Sequence, residues 1–138
     1  VMLDTADMPA SAEVARALRL RRGALVNYVL CAGETDGRRI SVSAHYFPKP
    51  RFDGIGALVS ETKSFTKSVR RLGVEEYTRQ STRILAKMPT TEEARLLAMP
   101  RNRPLIVTEG INVDGQGTRI EFCLSKFVGD LVQVLVEH

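Results

Sequence analysis

The sequence of 138 residues has very few of the residues that build several kinds of functional site: no tryptophan, two cysteines and two histidines. Cys31 and Cys123 are too few for a disulfide framework and lack the Cys-X-X-Cys spacing, so we expect two small core residues in a reducing cytoplasm. One of the two histidines is the terminal His138. Because zinc sites need three or four convergent ligands, these counts nearly exclude a His-based metal site.

Long apolar stretches are also absent. No run approaches the roughly 18 residues that a membrane span requires, and no charged-then-apolar secretory leader opens the chain. We therefore expect a cytoplasmic protein without a membrane partner. The length suits one domain of about 100 to 200 residues, and 43% hydrophobic with 26% charged residues is typical of a globular chain.

Positive charge is present but is not concentrated. Lysine plus arginine (20) exceed aspartate plus glutamate (16), so the net charge is +4, and the pI is about 9.4. The basic residues are interleaved with acids, and aromatic residues make up only 6%. A nucleic-acid surface usually shows a basic stripe or aromatic side chains in a basic groove. Neither is visible, so we interpret the charge as a solvated, mixed-charge surface.

Catalytic and cofactor motifs are scarce as well. The sequence has no glycine-rich phosphate loop, no Gly-X-Ser-X-Gly elbow and no paired metal-ligand motif. Glu109 and Glu121 could in principle form an acid–base pair, but nothing in their flanking residues supports one. We therefore predict no catalytic residues, no metal and no cofactor.

An internal repeat organises the chain. Residues 9–47 and 89–127 align at offsets of 78 to 80, with Arg39 matching Arg119. Each copy predicts a helix, a strand, an Asp-Gly hairpin turn and a second strand, because Asp-Gly between alternating apolar residues is a strong hairpin signal. Hairpin-linked strands pair antiparallel, so the sequence predicts an α+β domain with an antiparallel sheet and flanking helices.

Capping signals indicate where the helices begin. Ser11 and Ser64 can each cap a helix. Thr90 with Glu93 forms a capping box, in which the side-chain oxygen of each residue accepts a hydrogen bond from the backbone N–H of the other.

Three further segments complete the predicted order of elements. A strand is expected over residues 77–87 and a last strand over Leu131–Glu137. Residues 1–10 are polar and end near a proline, so we expect a tail or linker there.

One face of the predicted sheet differs from a plain core. Period-two alternation places small polar residues and a final phenylalanine on the same face in both copies. This face could be solvated, or it could line a cleft for a small polar ligand. Glu109 interrupts an otherwise apolar face, and pairing with an arginine is the outcome that we favour. The alternating residues are Arg39, Ser41, Ser43, His45 and Phe47 in the first copy, and Arg119, Glu121, Cys123, Ser125 and Phe127 in the second.

Basic residues lie near two predicted elements. Lys63, Ser64 and Thr66 surround the start of a helix, where backbone N–H groups, a hydroxyl and an ammonium could hold an anion. An ordinary serine cap beside an exposed lysine explains the same residues, and the sequence alone favours it. Arg79 and Arg83 are expected to share one strand face, where they contact either an anion or water.

The order of these elements resembles a known family. A helix, strand and Asp-Gly hairpin are followed by HYFP at 45–48, TTEEARLL at 90–97, RPLIVTEGINVDGQGTRIEF at 103–122 and a Gly-Asp pair before the last predicted strand. This pattern resembles the UTRA domain, the effector-binding part of HutC-type bacterial regulators of the GntR superfamily, over residues 11–138. Within this family, the chain is most similar to regulators of phosphonate uptake and breakdown, on the basis of HYFP, STRI at 81–84 and the closing VEH.

The resemblance implies a fold, partners and an absence of catalysis. It implies a chorismate-lyase-like α+β fold with a small-molecule effector site. A winged helix-turn-helix domain that precedes this chain would then bind the DNA, and the regulator would be a homodimer on a palindromic operator.

The resemblance also assigns residues to the effector site. It implies a ligand acid at Glu121, an aromatic wall at Phe127, and hydroxyls for a ligand phosphate at Ser64 and Thr66 beside Lys63. The first hairpin departs from the sugar-phosphate-responsive members, because it has Cys31, Gly33 and Ser43 where they carry two arginines and a glutamate. The complete set of candidate ligand residues is Lys63, Ser64, Thr66, Arg83, Glu121, Phe127, Ser43, His45 and Glu109.

The absence of these charged side chains argues against a sugar phosphate as the ligand, because each would contribute a charged hydrogen bond worth about 1.5 to 3 kcal/mol. We therefore favour a small anion, such as a phosphonate or phosphate, held by Lys63, Ser64 and Arg83. A chorismate-lyase-like enzyme and a sensor of another carboxylate or sugar ligand remain the alternatives, and DNA binding by this domain alone is the weakest hypothesis.

Overall fold

The computed structural model describes residues 1–137, which form a six-stranded antiparallel sheet with helices on both faces. The sheet order is β1-β2-β3-β6-β5-β4, so the two strands of the central pair come from different hairpins. The predicted α+β class is confirmed. The elements in chain order are β1 (Met2–Pro9), α1 (Ala12–Leu18), β2 (Leu25–Thr35), β3 (Arg38–Pro48), α2 (Ile55–Thr62), α3 (Phe65–Arg71), β4 (Tyr77–Lys87), α4 (Thr91–Leu96), β5 (Leu105–Asp114) and β6 (Arg119–Val128).

The internal repeat is visible in the sheet. The copies are β1-α1-β2-β3 and β4-α4-β5-β6, and they meet where β3 pairs with β6. Ser43 lies opposite Ser125 and His45 lies opposite Cys123, on either side of the Ala44–Leu124 pair. The repeat predicted from sequence is therefore confirmed, and α2 with α3 is the insertion between the copies.

Local signals account for the helix starts and the first turn. Ser11, Ser64 and Thr90 cap α1, α3 and α4 through their side-chain oxygens, and the Thr90 capping box is complete. Asp36 and Gly37 have φ values of 53° and 76°, as a two-residue hairpin turn requires.

Arg39 and Arg119 connect the two copies reciprocally. Arg39 Nη1 donates a hydrogen bond to the carbonyl oxygen of Leu96, at the end of α4, over 3.1 Å. At the matching position of the other copy, Arg119 Nη1 donates to the carbonyl oxygen of Ala17 in α1 over 2.7 Å. A cation at a helix C-terminus interacts favourably with the helix dipole. Each hairpin therefore stabilises the helix of the opposite copy.

Helices cover both faces of the sheet. On the face that we call the α1/α4 face, Val26 and Phe122 pack against α1 while Val42 packs against α4. On the opposite α2/α3 face, Val29 and Phe47 belong to a core cluster that includes side chains of α2 and α3. The inserted helices therefore cover part of the face that carries the odd positions of β3 and β6, which the sequence had left as either solvated or lining a cleft.

Several predicted boundaries differ from the structure. Residues 1–10 are not a tail, because Met2–Pro9 forms the edge strand β1 paired with β2. Residues 131–137 contain no strand, and this valine-rich segment pairs with none of the six strands. The sequence analysis missed α2, and His138 lies outside the described residues. Within residues 1–137, no helix is long and apolar enough to cross a membrane.

Candidate functional site

A row of polar side chains runs along the centre of the α2/α3 face, and we call Ser43, His45, Glu121, Cys123 and Ser125 the polar row. These residues share one face because β3 and β6 alternate and pair in register. The two serine hydroxyls of the row contact each other across the strands, with Ser43 Oγ and Ser125 Oγ 2.8 Å apart. The predicted aromatic residue, Phe127, is half-buried two residues beyond Ser125 on the same strand face.

His45 connects an acid to a thiol. Its Nδ1 lies 2.6 Å from Glu121 Oε2, and its Nε2 lies 3.9 Å from Cys123 Sγ. Glu121 is 5% exposed, and its other oxygen accepts a hydrogen bond from Asn112 Nδ2 over 2.7 Å. Burial lowers the pKa of His45, but hydrogen bonds with Cys123 and Glu121 raise it more, to about 9. The imidazole therefore carries a proton at neutral pH and balances the carboxylate.

Arg79 reaches the polar row because of an irregularity in β4. A register shift between Arg79 and Ser81 turns Arg79 toward Asn112, whose Oδ1 accepts from Arg79 Nε over 2.7 Å. The guanidinium lies directly over Gly110, where a Cβ atom would collide with it. Gly110 is the register partner of Cys123. The structure therefore places the Arg79 cation beside the polar row, whereas the sequence predicted only that Arg79 shares a strand face with Arg83.

The connection between α2 and α3 overhangs the polar row. The Phe65 ring stacks on His45 with centroids 4.0 Å apart and an interplanar angle of 21°. Lys63 ends α2 with a positive φ of 59°, and its side chain makes none of the ion pairs found within residues 1–137. A cleft of about 590 Å³, which we call the effector cleft, opens beside Phe65. It is lined by Val1, Met2, Cys31, Val59, Ser60, Lys63 and Phe65.

The predicted hydroxyls at the start of α3 already have partners. Ser64 Oγ accepts from the backbone N–H of Lys67 over 3.1 Å, as an ordinary helix cap does. Thr66 Oγ1 and Tyr77 Oη are 2.7 Å apart. Among the three residues predicted around this helix start, Lys63 is therefore the one that lines the cleft.

Arg83 and Glu109 do not belong to the polar row. They are register partners in β4 and β5, on the α1/α4 face, where they line a separate cleft of about 350 Å³ with Arg16 and Arg119. The structure therefore separates Arg83 from Lys63 and Ser64, because the irregularity at residue 80 puts Arg79 and Arg83 on opposite faces. Glu109 makes no ion pair within 4.0 Å among residues 1–137, so the expected pairing with an arginine is limited to this register contact.

A third cleft of about 560 Å³ lies elsewhere, between the start of β4 and the β5–β6 turn. Its lining includes Arg51 and Asp114, which form an ion pair of 2.9 Å. Neither this cleft nor the effector cleft has a polar-row residue in its lining, but the effector cleft adjoins the row through Phe65, which stacks on His45.

Three potential metal donors converge in the polar row. Within residues 1–137, donor atoms of His45, Glu121 and Cys123 lie within 4.8 Å of one another. The two ring nitrogens of His45 face different partners, so one ion cannot take all three donors unless the ring turns. Sequence reasoning missed this convergence because the residues are 76 and 78 positions apart, and only the β3–β6 register brings them together.

Comparisons with known proteins agree with this architecture. A family model described as the UTRA domain matches residues 2–133. The chain is 30% identical over 136 residues to an uncharacterized HTH-type transcriptional regulator of Rhizobium meliloti, over 99% of this chain and 56% of that protein. It is 28% identical over 138 residues to the probable transcriptional regulator PhnF of Escherichia coli, over 94% of this chain and 54% of that protein. The chain thus spans about half the length of these curated relatives.

Solved structures show the same fold. The crystal structure of PhnF from Mycobacterium smegmatis superimposes with a TM-score of 0.84 at 25% identity, over 100% of this chain and 61% of that one. The ligand-binding domain of a proposed GntR-family regulator from Bordetella bronchiseptica gives a TM-score of 0.87 at 22% identity, over 99% and 90% of the two chains. The second likeness concerns the fold alone.

Proposed function

The chain belongs to the UTRA domain family, the regulatory domain of GntR-family transcription regulators, and we propose that its effector cleft binds a small anion of the phosphonate or phosphate kind. The observation that carries this proposal is the polar row next to the cleft, with Arg79 beside the row and Lys63 in the cleft lining. A few placed polar groups in a concave and partly apolar site are what a small polar ligand requires.

The charges of the site favour an anion. His45 balances Glu121, so this pair contributes no net charge. Lys63 at the cleft and Arg79 beside the row are then the cations in excess. An anion that desolvates two cations gains charge-assisted hydrogen bonds, each worth about 1.5 to 3 kcal/mol.

The uncharged residues of the first hairpin favour a compact ligand. The first hairpin provides Cys31 and Ser43 on this face, neither of which carries a charge that would anchor a second polar end of the ligand. A compact anion with an apolar substituent fits this combination better than a sugar phosphate does. The sequence resemblance to phosphonate-operon regulators supports the same ligand class.

Regulation would follow from differential binding. An effector shifts the regulator between two arrangements only to the extent that it binds one of them more tightly. We propose that a separate segment of the longer regulator binds the operator, that two copies act together, and that occupancy of the effector cleft changes the spacing of the DNA-binding parts.

A thermal-shift panel tests the ligand class. The panel contains methylphosphonate, inorganic phosphate, a sugar phosphate, a neutral sugar and chorismate, each at several concentrations. A ligand at 100 times its Kd stabilises the folded state by about 2.7 kcal/mol, so the melting temperature should rise by several degrees for the small anions. A shift from the neutral sugar alone would reject the anion proposal, and turnover of chorismate would instead support a lyase-like enzyme.

A further inference from the structure

Three side chains of the polar row form a series of contacts from a thiol through an imidazole to a carboxylate. Cys123 Sγ lies 3.9 Å from His45 Nε2, and His45 Nδ1 lies 2.6 Å from Glu121 Oε2. Asn112 Nδ2 holds the second carboxylate oxygen at 2.7 Å. A thiol beside an imidazole whose other nitrogen contacts an acid is the arrangement that activates cysteine nucleophiles.

We propose that Cys123 is a reactive thiol, positioned by His45 and Glu121, that forms covalent adducts with small uncharged carbon electrophiles. This inference does not depend on which effector the domain binds. It concerns the chemistry of one sulfur atom, which the UTRA fold alone does not require.

The imidazole that faces the sulfur is cationic. Burial lowers the pKa of His45, but its hydrogen bonds raise that pKa to about 9, so the ring facing Cys123 is an imidazolium at neutral pH. Glu121 beside it on β6 is paired with that ring. The other ionisable groups on this face include Cys31 on β2, the Val1 amino group in the cleft lining, Lys63 at the end of α2 and Arg79 on β4. Lys63 and Arg79 add positive charge to this face, which is the setting in which reactive cysteines are found.

Cys31 provides a reference within the same molecule. Both cysteines are free and half-buried. Cys31 lies opposite Ser43 in the sheet register, and burial, its largest influence, raises its pKa. Within residues 1–137, its sulfur makes no hydrogen bond to a histidine, unlike that of Cys123. The two thiols therefore differ mainly in the chemical groups around them.

The reaction with iodoacetamide balances without a further reactant. The Cys123 thiolate attacks the carbon that carries iodine, an S–C bond forms, the C–I bond breaks and iodide leaves. The proton that the thiol gives up goes to water, because the His45 ring already carries a proton on each nitrogen at neutral pH.

Competitive alkylation followed by peptide mass spectrometry measures both thiols at once. Trypsin cuts after Arg22 and Arg38 around Cys31, and after Arg119 and Lys126 around Cys123, so each cysteine lies in its own peptide. The folded chain is treated with iodoacetamide for increasing times between pH 6 and 8. The variants are His45→Asn and Glu121→Gln, and thermal melts check that each variant is folded.

The proposal expects Cys123 to react about fivefold faster than Cys31, or more, at pH 7, because an unassisted thiol is only a few per cent thiolate there. Between pH 7 and 6, the Cys123 rate should fall less than about threefold, where an unassisted thiol loses about tenfold. His45→Asn should remove most of the advantage of Cys123 and leave the rate of Cys31 unchanged.

Equal rates for the two cysteines in the unmodified chain would overturn the proposal, and so would a tenfold loss for Cys123 between pH 7 and 6. A His45→Asn variant that keeps the full advantage of Cys123 would reject the role of the imidazole. If a variant unfolds, the alkylation rates of the two thiols in the unmodified chain, and the pH dependence of these rates, still test whether Cys123 is reactive.

Discussion

Replacing His45 with asparagine tests whether the polar row contains a buried charge. Burial lowers the pKa of His45, but hydrogen bonds with Cys123 and Glu121 outweigh burial and raise the pKa to about 9, against an ordinary 6.5. A pKa that is higher in the folded state stabilises the fold fully below pH 6.5, and this contribution is lost as the pH rises toward 9. At about 1.36 kcal/mol per pKa unit, the difference corresponds to about 3 kcal/mol.

Urea unfolding at several pH values measures this contribution. The free energy of unfolding of the unmodified chain minus that of His45→Asn should shrink by about 3 kcal/mol between pH 6 and 9.5, with similar m values. Taking the difference removes the titration of shared groups that do not contact residue 45. Substitution of an exposed and uncharged side chain, Asn102→Ala, provides the control and should leave the pH dependence unchanged. Parallel curves for the unmodified chain and His45→Asn would refute the reasoning.

Three further changes test other parts of the structure. Arg39→Ala and Arg119→Ala should each lower the free energy of unfolding by about 1.5 to 3 kcal/mol in urea titrations, because each removes a charged hydrogen bond to a helix end; no loss in either would contradict the reciprocal caps. Gly110→Ala should push the Arg79 guanidinium aside and weaken anion binding several-fold in calorimetry, with little change in melting temperature; unchanged affinity would show that Arg79 is not a ligand contact. Burial raises the pKa of Glu93, but hydrogen bonds from two lysines and the capping box lower it to about 2. The stability from Glu93 is therefore present above pH 4.5 and lost toward pH 2, and Glu93→Gln should flatten the acid part of the urea-midpoint profile; an unchanged acid profile would reject this.

The repeat and the local signals were predictable from sequence because they depend on short segments. Ser11 and the Thr90 capping box begin their helices as expected, and the Asp36-Gly37 turn joins β2 and β3. These features are determined by two to four adjacent residues, and the sequence displays them directly.

The remaining features depend on pairing that no short segment reveals. Met2–Pro9 forms a strand because β2 offers it a partner, whereas residues 131–137 have none despite their valines. The same limit applies to the site. Alternation identified the polar face, but the register at His45 and the irregularity beside Arg79 decide which side chains meet.

Calorimetric titration with methylphosphonate and inorganic phosphate tests the central claim most directly. If the effector cleft and polar row bind a small anion, the unmodified chain should bind one ligand per domain. Lys63→Ala and Arg79→Ala should each weaken binding by about tenfold or more, as the loss of a charged hydrogen bond predicts. Lys67→Ala, which removes an exposed lysine of α3 outside the cleft lining, should change Kd less than about twofold. If neither anion binds, or if all four proteins bind with equal affinity, the claim that this site binds a small anion is contradicted.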